Sequence, residues 1–206
     1  MMLTIAPART LFRHAATALL LAGSALLTGC ASFYVDTATK EVAATQYQKV
    51  AQPRPVQLSF EFQNAGAPNA RASDLLRGQV TDQVVGSGLF SGIVADPKAA
   101  MLNVTINNLP ADTGSAAAKG FVTGLTFGLA GNVVTDYYEC KITYLPAGQT
   151  APVVTSSRHA IHTAMGATGD PANATKSASA EDAVRTMTRQ IVSNALNDLS
   201  RQAVLN

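Results

Sequence analysis

Asp136-Tyr137-Tyr138-Glu139-Cys140-Lys141-Ile142-Thr143-Tyr144-Leu145, followed by Pro146-Ala147-Gly148-Gln149, is the stretch from which the fold can be read. Successive strand side chains point to opposite faces. Tyr138, Cys140, Ile142 and Tyr144 therefore share one apolar face, and Tyr137, Glu139, Lys141 and Thr143 share the other. Pro-Ala-Gly-Gln is turn chemistry. Val153 to Met165 then supplies a returning strand, so the two segments predict a β-hairpin.

The same alternation recurs upstream. Met101 to Leu109 places Leu102, Val104 and Ile106 on one face and Asn103, Thr105 and Asn107 on the other. Val56 to Phe62 places Val56, Leu58, Phe60 and Phe62 together. Between these strands the period changes. Ala72, Leu76, Val80 and Val84 recur every fourth residue and predict a helix over about 70–85, which Gly86 and Gly88 end. Leu89 to Val94 reads as a short strand or edge segment. Downstream of the hairpin, residues 166–178 read as a loop. Ser179 with Asp182 resembles a capping box opening a last helix over about 180–203. Val184, Met187, Ile191, Ala195 and Leu199 form its apolar face, with Arg185, Arg189, Asn197 and Arg201 elsewhere. The order βαββββα predicts an α+β two-layer domain: a mainly antiparallel sheet of about four or five strands with two helices on one face.

The N-terminal region has a different character. Arg9 and Arg13 precede an apolar run from Ala15 to Leu27, which ends in Leu27-Thr28-Gly29-Cys30. As a helix that run spans only ~20 Å, short of the ~30 Å hydrocarbon core. Leu27-Thr28-Gly29-Cys30 resembles the lipobox of bacterial lipoproteins. The resemblance implies that residues 1–29 are a signal peptide, removed when Cys30 is lipidated and becomes the mature N-terminus. Several acyl chains at ~0.8 kcal/mol per CH₂ would hold such an anchor permanently. Ala31, rather than Asp, follows the cysteine and resembles the outer-membrane sorting pattern. Residues 30–55 are expected to be the lipidated N-terminus and a tether ending in Pro53-Arg54-Pro55, with Phe33, Tyr34 and Val35 either resting at the lipid interface or part of a disordered linker. Residues 56–206 are the single periplasmic domain. Its element order also resembles periplasmic domains of envelope assembly proteins, of the curli-export and Tol N-terminal types and of lipoproteins that deliver outer-membrane lipid.

Charge excludes some partners. The chain has 15 Lys+Arg against 13 Asp+Glu, and Arg9 and Arg13 lie in the expected signal peptide, so the mature chain is formally neutral. No basic patch argues for nucleic acid. Cys140 is the only cysteine besides Cys30, so no disulfide can form within the mature chain.

An apolar Gly-rich insert over about 114–134 interrupts the strands. Gly120, Gly124 and Gly128 are four apart, and Phe121 and Leu125 lie beside them. On a helix this is the small-xxx-small pattern of close helix contact in membranes. Three readings stand: a segment covering the domain's own sheet, a membrane-dipping or oligomer-forming segment, and the mouth of an apolar ligand site.

Catalytic patterns are sparse. His159 and His162 fall on opposite faces of a regular strand, so they do not form a chelating pair. Cys140 is expected to be a small buried residue rather than a nucleophile. Gly86-Ser87-Gly88 lacks the spacing of a nucleophile elbow. Asp136 and Glu139 lie on different faces. The expectation is a non-enzymatic, lipid-anchored envelope protein without metal or cofactor. It would act through a protein partner, or through its own copies by means of the Gly120–Val134 segment.

Overall fold

In a computed structural model of the chain, residues 31–109, 133–165 and 169–205 are described. Among them, eight strands form one sheet and two long helices pack against it. The elements are β1 (Ala31–Asp36), β2 (Arg54–Asn64), β3 (Ala67–Pro68), α1 (Ala70–Gly86), β4 (Phe90–Ile93), β5 (Ala100–Leu109), β6 (Val133–Leu145), β7 (Val153–Met165), β8 (Ala174–Lys176) and α2 (Ala180–Ser200). Across the sheet they run β3-β2-β5-β6-β7-β1-β8, with β4 also paired to β2. The α+β class is as expected, but the sheet exceeds the expected four or five strands by β1, β3 and β8.

The hairpin is its centre. β6 and β7 pair antiparallel from Val133↔Ala164 to Tyr144↔Val153. At the turn the Gln149 N–H donates to the Pro146 carbonyl at 3.1 Å, and Gly148 takes φ 75°, where a side chain would be strained. β5 adds antiparallel to β6, setting Leu102 opposite Tyr144 and Ile106 opposite Cys140. The predicted apolar faces therefore coincide on one side of the sheet.

The expected mainly antiparallel sheet is mixed at β2, which runs parallel to both β4 and β5. The physical reason is α1: a helix between two neighbouring strands carries the chain back across the sheet, so the second strand starts where the first did. The Asn69 carboxamide caps α1 by accepting from the Ala72 N–H at 3.0 Å. Leu76, Val80 and Val84 are fully buried against the sheet, as the four-residue stripe required. Beside them the Ser73 hydroxyl accepts the Phe62 N–H at 2.9 Å, binding helix to strand.

α2 opens at Ser179, whose hydroxyl accepts the Asp182 N–H at 3.1 Å, and it ends at Ser200, short of the expected 203. Met187, Ile191, Ala195 and Leu199 are buried as expected. So are Ser193, Ser200 and Asn197, the last of which the sequence reading put on a polar face. A second covering layer explains this.

That layer is the stretch expected to be a tether, and the expectation is overturned. Residues 31–36 form β1, between β7 and β8. Tyr34 and Val35, which were expected at the lipid interface or in a linker, are 2% and 3% exposed within the domain. The chain then crosses α2. Val42 N–H and Gln48 N–H donate to the hydroxyls of Ser193 and Ser200, each at 3.0 Å, and Tyr47 Oη donates to the Ser193 carbonyl, also at 3.0 Å. Asn194 donates to the Lys40 carbonyl at 2.7 Å, and Arg189 pairs with Glu41 at 2.9 Å. Irregular backbone needs partners when it is covered. The small polar residues of α2 supply them. Burial also pushes the Tyr47 phenol up to about 12.

The two ends of the sheet differ. Asp36 meets His162, while Thr39 donates to the Arg158 carbonyl at 2.8 Å. The chain thus descends β7 from its C-terminal end, so β1 starts where β5 ends and β6 begins. The connection between those two strands, residues 110–132, carries most of the Gly-rich insert and lies outside the described residues. Val133 and Val134, placed in the insert by the sequence reading, belong to β6.

Docking of residues 40–48 is testable by denaturant unfolding. Tyr47→Phe should cost about 1 kcal/mol for the lost hydrogen bond. Tyr47→Ala should cost about 3 kcal/mol or more. A free tether predicts no change for either.

Candidate functional site

Of the residues singled out in the sequence, Leu27, Thr28, Gly29 and Cys30 lie outside the described residues, as do Gly120, Gly124, Gly128, Phe121 and Leu125. Cys140 is described: a free, fully buried thiol on the core face of β6. Burial pushes it up and the Glu139 charge adds to this, so it stays a thiol and packs as a small apolar side chain. Asp136 is likewise raised by burial, against a hydrogen bond from Asn108. Glu139 pairs across the strands with Arg158 at 3.2 Å.

The two histidines form the polar centre of β7. His159 and His162 do face opposite ways, and both are buried. His159 turns toward α2. The Ala160 N–H donates to Nδ1 at 2.8 Å, which leaves Nε2 to carry the proton and donate to Gln190 Oε1 at 2.6 Å. That is a neutral imidazole. Burial holds its pKa below the usual 6.5, outweighing the Gln190 bond, the Ala160 carbonyl 3.1 Å from Nδ1, the Asp36 charge and the Thr39 backbone contact, which act upward.

His162 turns the other way, toward β1. Its Nε2 lies 3.4 Å from Asp36 Oδ2, and its Nδ1 lies 2.9 Å from the Thr135 hydroxyl. A carboxylate can only accept, so Nε2 carries the proton. With the proton on Nε2, Nδ1 can accept from the Thr135 hydroxyl. Asp36 Oδ1 accepts the Ala38 N–H at 2.7 Å. Burial raises the Asp36 carboxyl, but the His162 bond and the Ala38 bond, with the nearby histidines, outweigh it. The net position is below the ordinary aspartate value.

Thr135, His162 and Asp36 thus form a hydroxyl–imidazole–carboxylate chain from β6 through β7 to β1. A cavity of about 390 Å³ includes Asp36 and Gln190 in its wall but neither histidine nor Thr135. The chain's evident physical effect is to lock β1 onto the central hairpin. Sequence reasoning missed it because Asp36 sits in the stretch read as a tether. The available signal was an acid closing the apolar run Phe33-Tyr34-Val35. Among the described residues, no group of three His, Cys, Asp or Glu side chains is placed to hold a metal ion.

No family model matches the sequence. No curated protein sequence matches it either. Among solved structures, two PelC dodecamers from Paraburkholderia phytofirmans are similar, one of them a point variant. Each is 13% identical; the variant aligns over 85% of this chain and 100% of its own with TM-score 0.33, and the other over 85% and 99% with TM-score 0.35. Likeness at that level does not bear on function, and the reading below rests on the chain's own residues.

The neutral His159 predicts acid sensitivity. Its folded pKa lies below the unfolded value of 6.5, so on acidification the unfolded chain takes up the proton first. The stability it allows is complete above that value and declines as pH falls below it. The urea midpoint of the wild type should therefore drop between pH 7.5 and 5.5, and His159→Gln should flatten the drop. Equal slopes for both proteins would show that His159 is not held neutral.

Proposed function

We propose that this chain is a lipid-anchored, non-enzymatic protein of the cell envelope, held through Cys30 in the outer membrane on its periplasmic side and acting through a protein partner in envelope assembly, transport or maintenance. The observation that carries this reading is the junction of lipobox and fold. Leu27-Thr28-Gly29-Cys30 ends immediately before Ala31, the first residue of β1. A lipidated Cys30 is one peptide link, about 3.8 Å between Cα atoms, from the sheet. The anchor then acts on the domain itself, without a slack linker. Among the described residues no helix is long and apolar enough to cross a membrane. The helix positions are used for core packing, and the polar chains on β7 for locking strands, which favours binding over catalysis.

A second reading concerns self-assembly. Gly120, Gly124 and Gly128 keep a four-residue spacing within a connection of about 20 residues, where antiparallel neighbours need only two to five. The apolar stretch from Gly120 to Val134, which carries no charged residue, supports an oligomeric or pore-forming role for that segment, in which small residues let helices approach closely.

Labelled palmitate should enter the wild type and not Cys30→Ala, and the variant should leave the membrane fraction. Affinity capture from intact envelopes should recover a partner with the wild type that Cys30→Ala loses. An acylated, membrane-bound Cys30→Ala protein would overturn the anchor. For the second reading, Gly124→Leu should abolish cross-linked oligomers in native membranes while the monomer stays folded; wild-type chains that cross-link only as monomers would rule that reading out.

A further inference from the structure

The end of the sheet farthest from the start of β1 carries a groove of about 700 Å³. Its floor is the core itself. Leu89, Phe90, Ala100 and Tyr144 belong to the buried cluster and also line the groove. The rings of Phe90 and Tyr144 lie 5.7 Å apart, tilted at 46°. Val204 and Leu205, in the turn after α2, close one side. A volume of this size falls in the range of small-ligand sites, about 300–1,000 Å³.

The rim is charged. Arg54, at the start of β2, and Lys98, before β5, both line the groove and are exposed. Among the described residues neither enters an ion pair. Asp96 is the acid of the rim, and its Oδ1 is engaged by the Lys98 backbone N–H at 2.9 Å in a tight turn. That turn positions Lys98 while leaving its ammonium free. Burial raises the Tyr144 phenol and the Arg54 charge acts against it, so the guanidinium is close enough to the aromatic floor to be felt there. An apolar floor beneath two cations outside any ion pair is complementary to an apolar body ending in an anion.

We propose that this groove binds an anionic amphiphile, an acyl chain ending in a carboxylate or phosphate. The chain lies against Leu89, Phe90 and Tyr144, and the headgroup pairs with Arg54 and Lys98. The site is independent of the anchor, and Cys30→Ala should bind as the wild type does.

The test is calorimetric titration of the full-length chain with sodium decanoate below its micelle concentration. Saturable one-to-one binding is expected, weakened at least tenfold in R54Q/K98Q. Both side chains are exposed, so the unfolding midpoint of the double variant should match the wild type. Decanol, which lacks the charge, should bind at least tenfold more weakly than decanoate, and so should inorganic phosphate, which lacks the chain. Ala147→Trp, which puts bulk into the groove wall, should reduce binding without touching either cation. Absence of saturation, or equal affinity in the wild type and R54Q/K98Q, overturns the proposal. Phosphate binding as tightly as decanoate overturns the acyl site. Two sources of ligand share this chemistry. Co-sedimentation with phosphatidylglycerol vesicles but not phosphatidylcholine vesicles, lost in R54Q/K98Q, identifies a bilayer lipid. Decanoate binding without that co-sedimentation identifies a free amphiphile.

Discussion

α2 is covered on two sides, and the rest of the domain follows from that. One side faces β6 and β7 with Met187, Ile191 and Leu199. Another meets residues 40–48, through Ser193, Asn194 and Ser200. A purely apolar second side would leave the backbone of the crossing segment without hydrogen-bond partners, each buried loss worth about 1–3 kcal/mol. Serine and asparagine are small enough to let the segment approach and polar enough to satisfy it. The arrangement is not perfectly satisfied: Thr188 Oγ1 and Asn197 Oδ1 are buried with no partner among the described residues. Those two groups are where α2 would gain most from an apolar substitution of matching shape.

The docked segment changes what an anchor at Cys30 would do. A flexible stretch of about 25 residues would let the domain roam roughly 25–30 Å from the membrane. β1 instead ties residues 31–36 into the sheet, and the Asp36–His162–Thr135 chain fastens it to the hairpin. Tyr34 adds a second fastening, donating to Asp170 at 2.7 Å beneath the Lys176 ammonium. Pulling on Cys30 would load these bonds directly. A lipid at Cys30, as proposed, would hold that end of the sheet near the bilayer.

Much of the fold was legible. The strands at 56–62, 101–109, 136–145 and 153–165, the helix stripe at 76, 80 and 84, and the cap at Ser179 all depend on local period or local chemistry, which a sequence displays. The missed strands lack both. β1 has Tyr34, Val35 and Asp36 buried in succession, because both its faces are covered, so no alternation marks it. β3 and β8 have two and three residues, and they exist only through their pairing. The parallel pairing of β2 with β5 is a consequence of the α1 crossover, visible in element order but not in any strand's own pattern. The site chemistry was less legible for a related reason. His162 finds Asp36 126 residues away, and the groove gathers residues from before β2, from around β4 and β5, from the turn of the hairpin and from after α2.

The two ends of the sheet have separate physical tasks. Thr135 and Tyr144 are nine residues apart on β6, about 30 Å along an extended strand. At the Thr135 end the buried polar chain fixes β1, and the 110–132 connection departs. At the Tyr144 end the core opens into a groove ringed by Arg54 and Lys98. A lipid at Cys30, as proposed, would load the first end, where β1 enters the sheet. Occupancy of the groove would be additive with anchoring, because no described hydrogen bond or ion pair joins the groove rim to the Asp36–His162 chain. Sites that share neither contacts nor a network contribute independently.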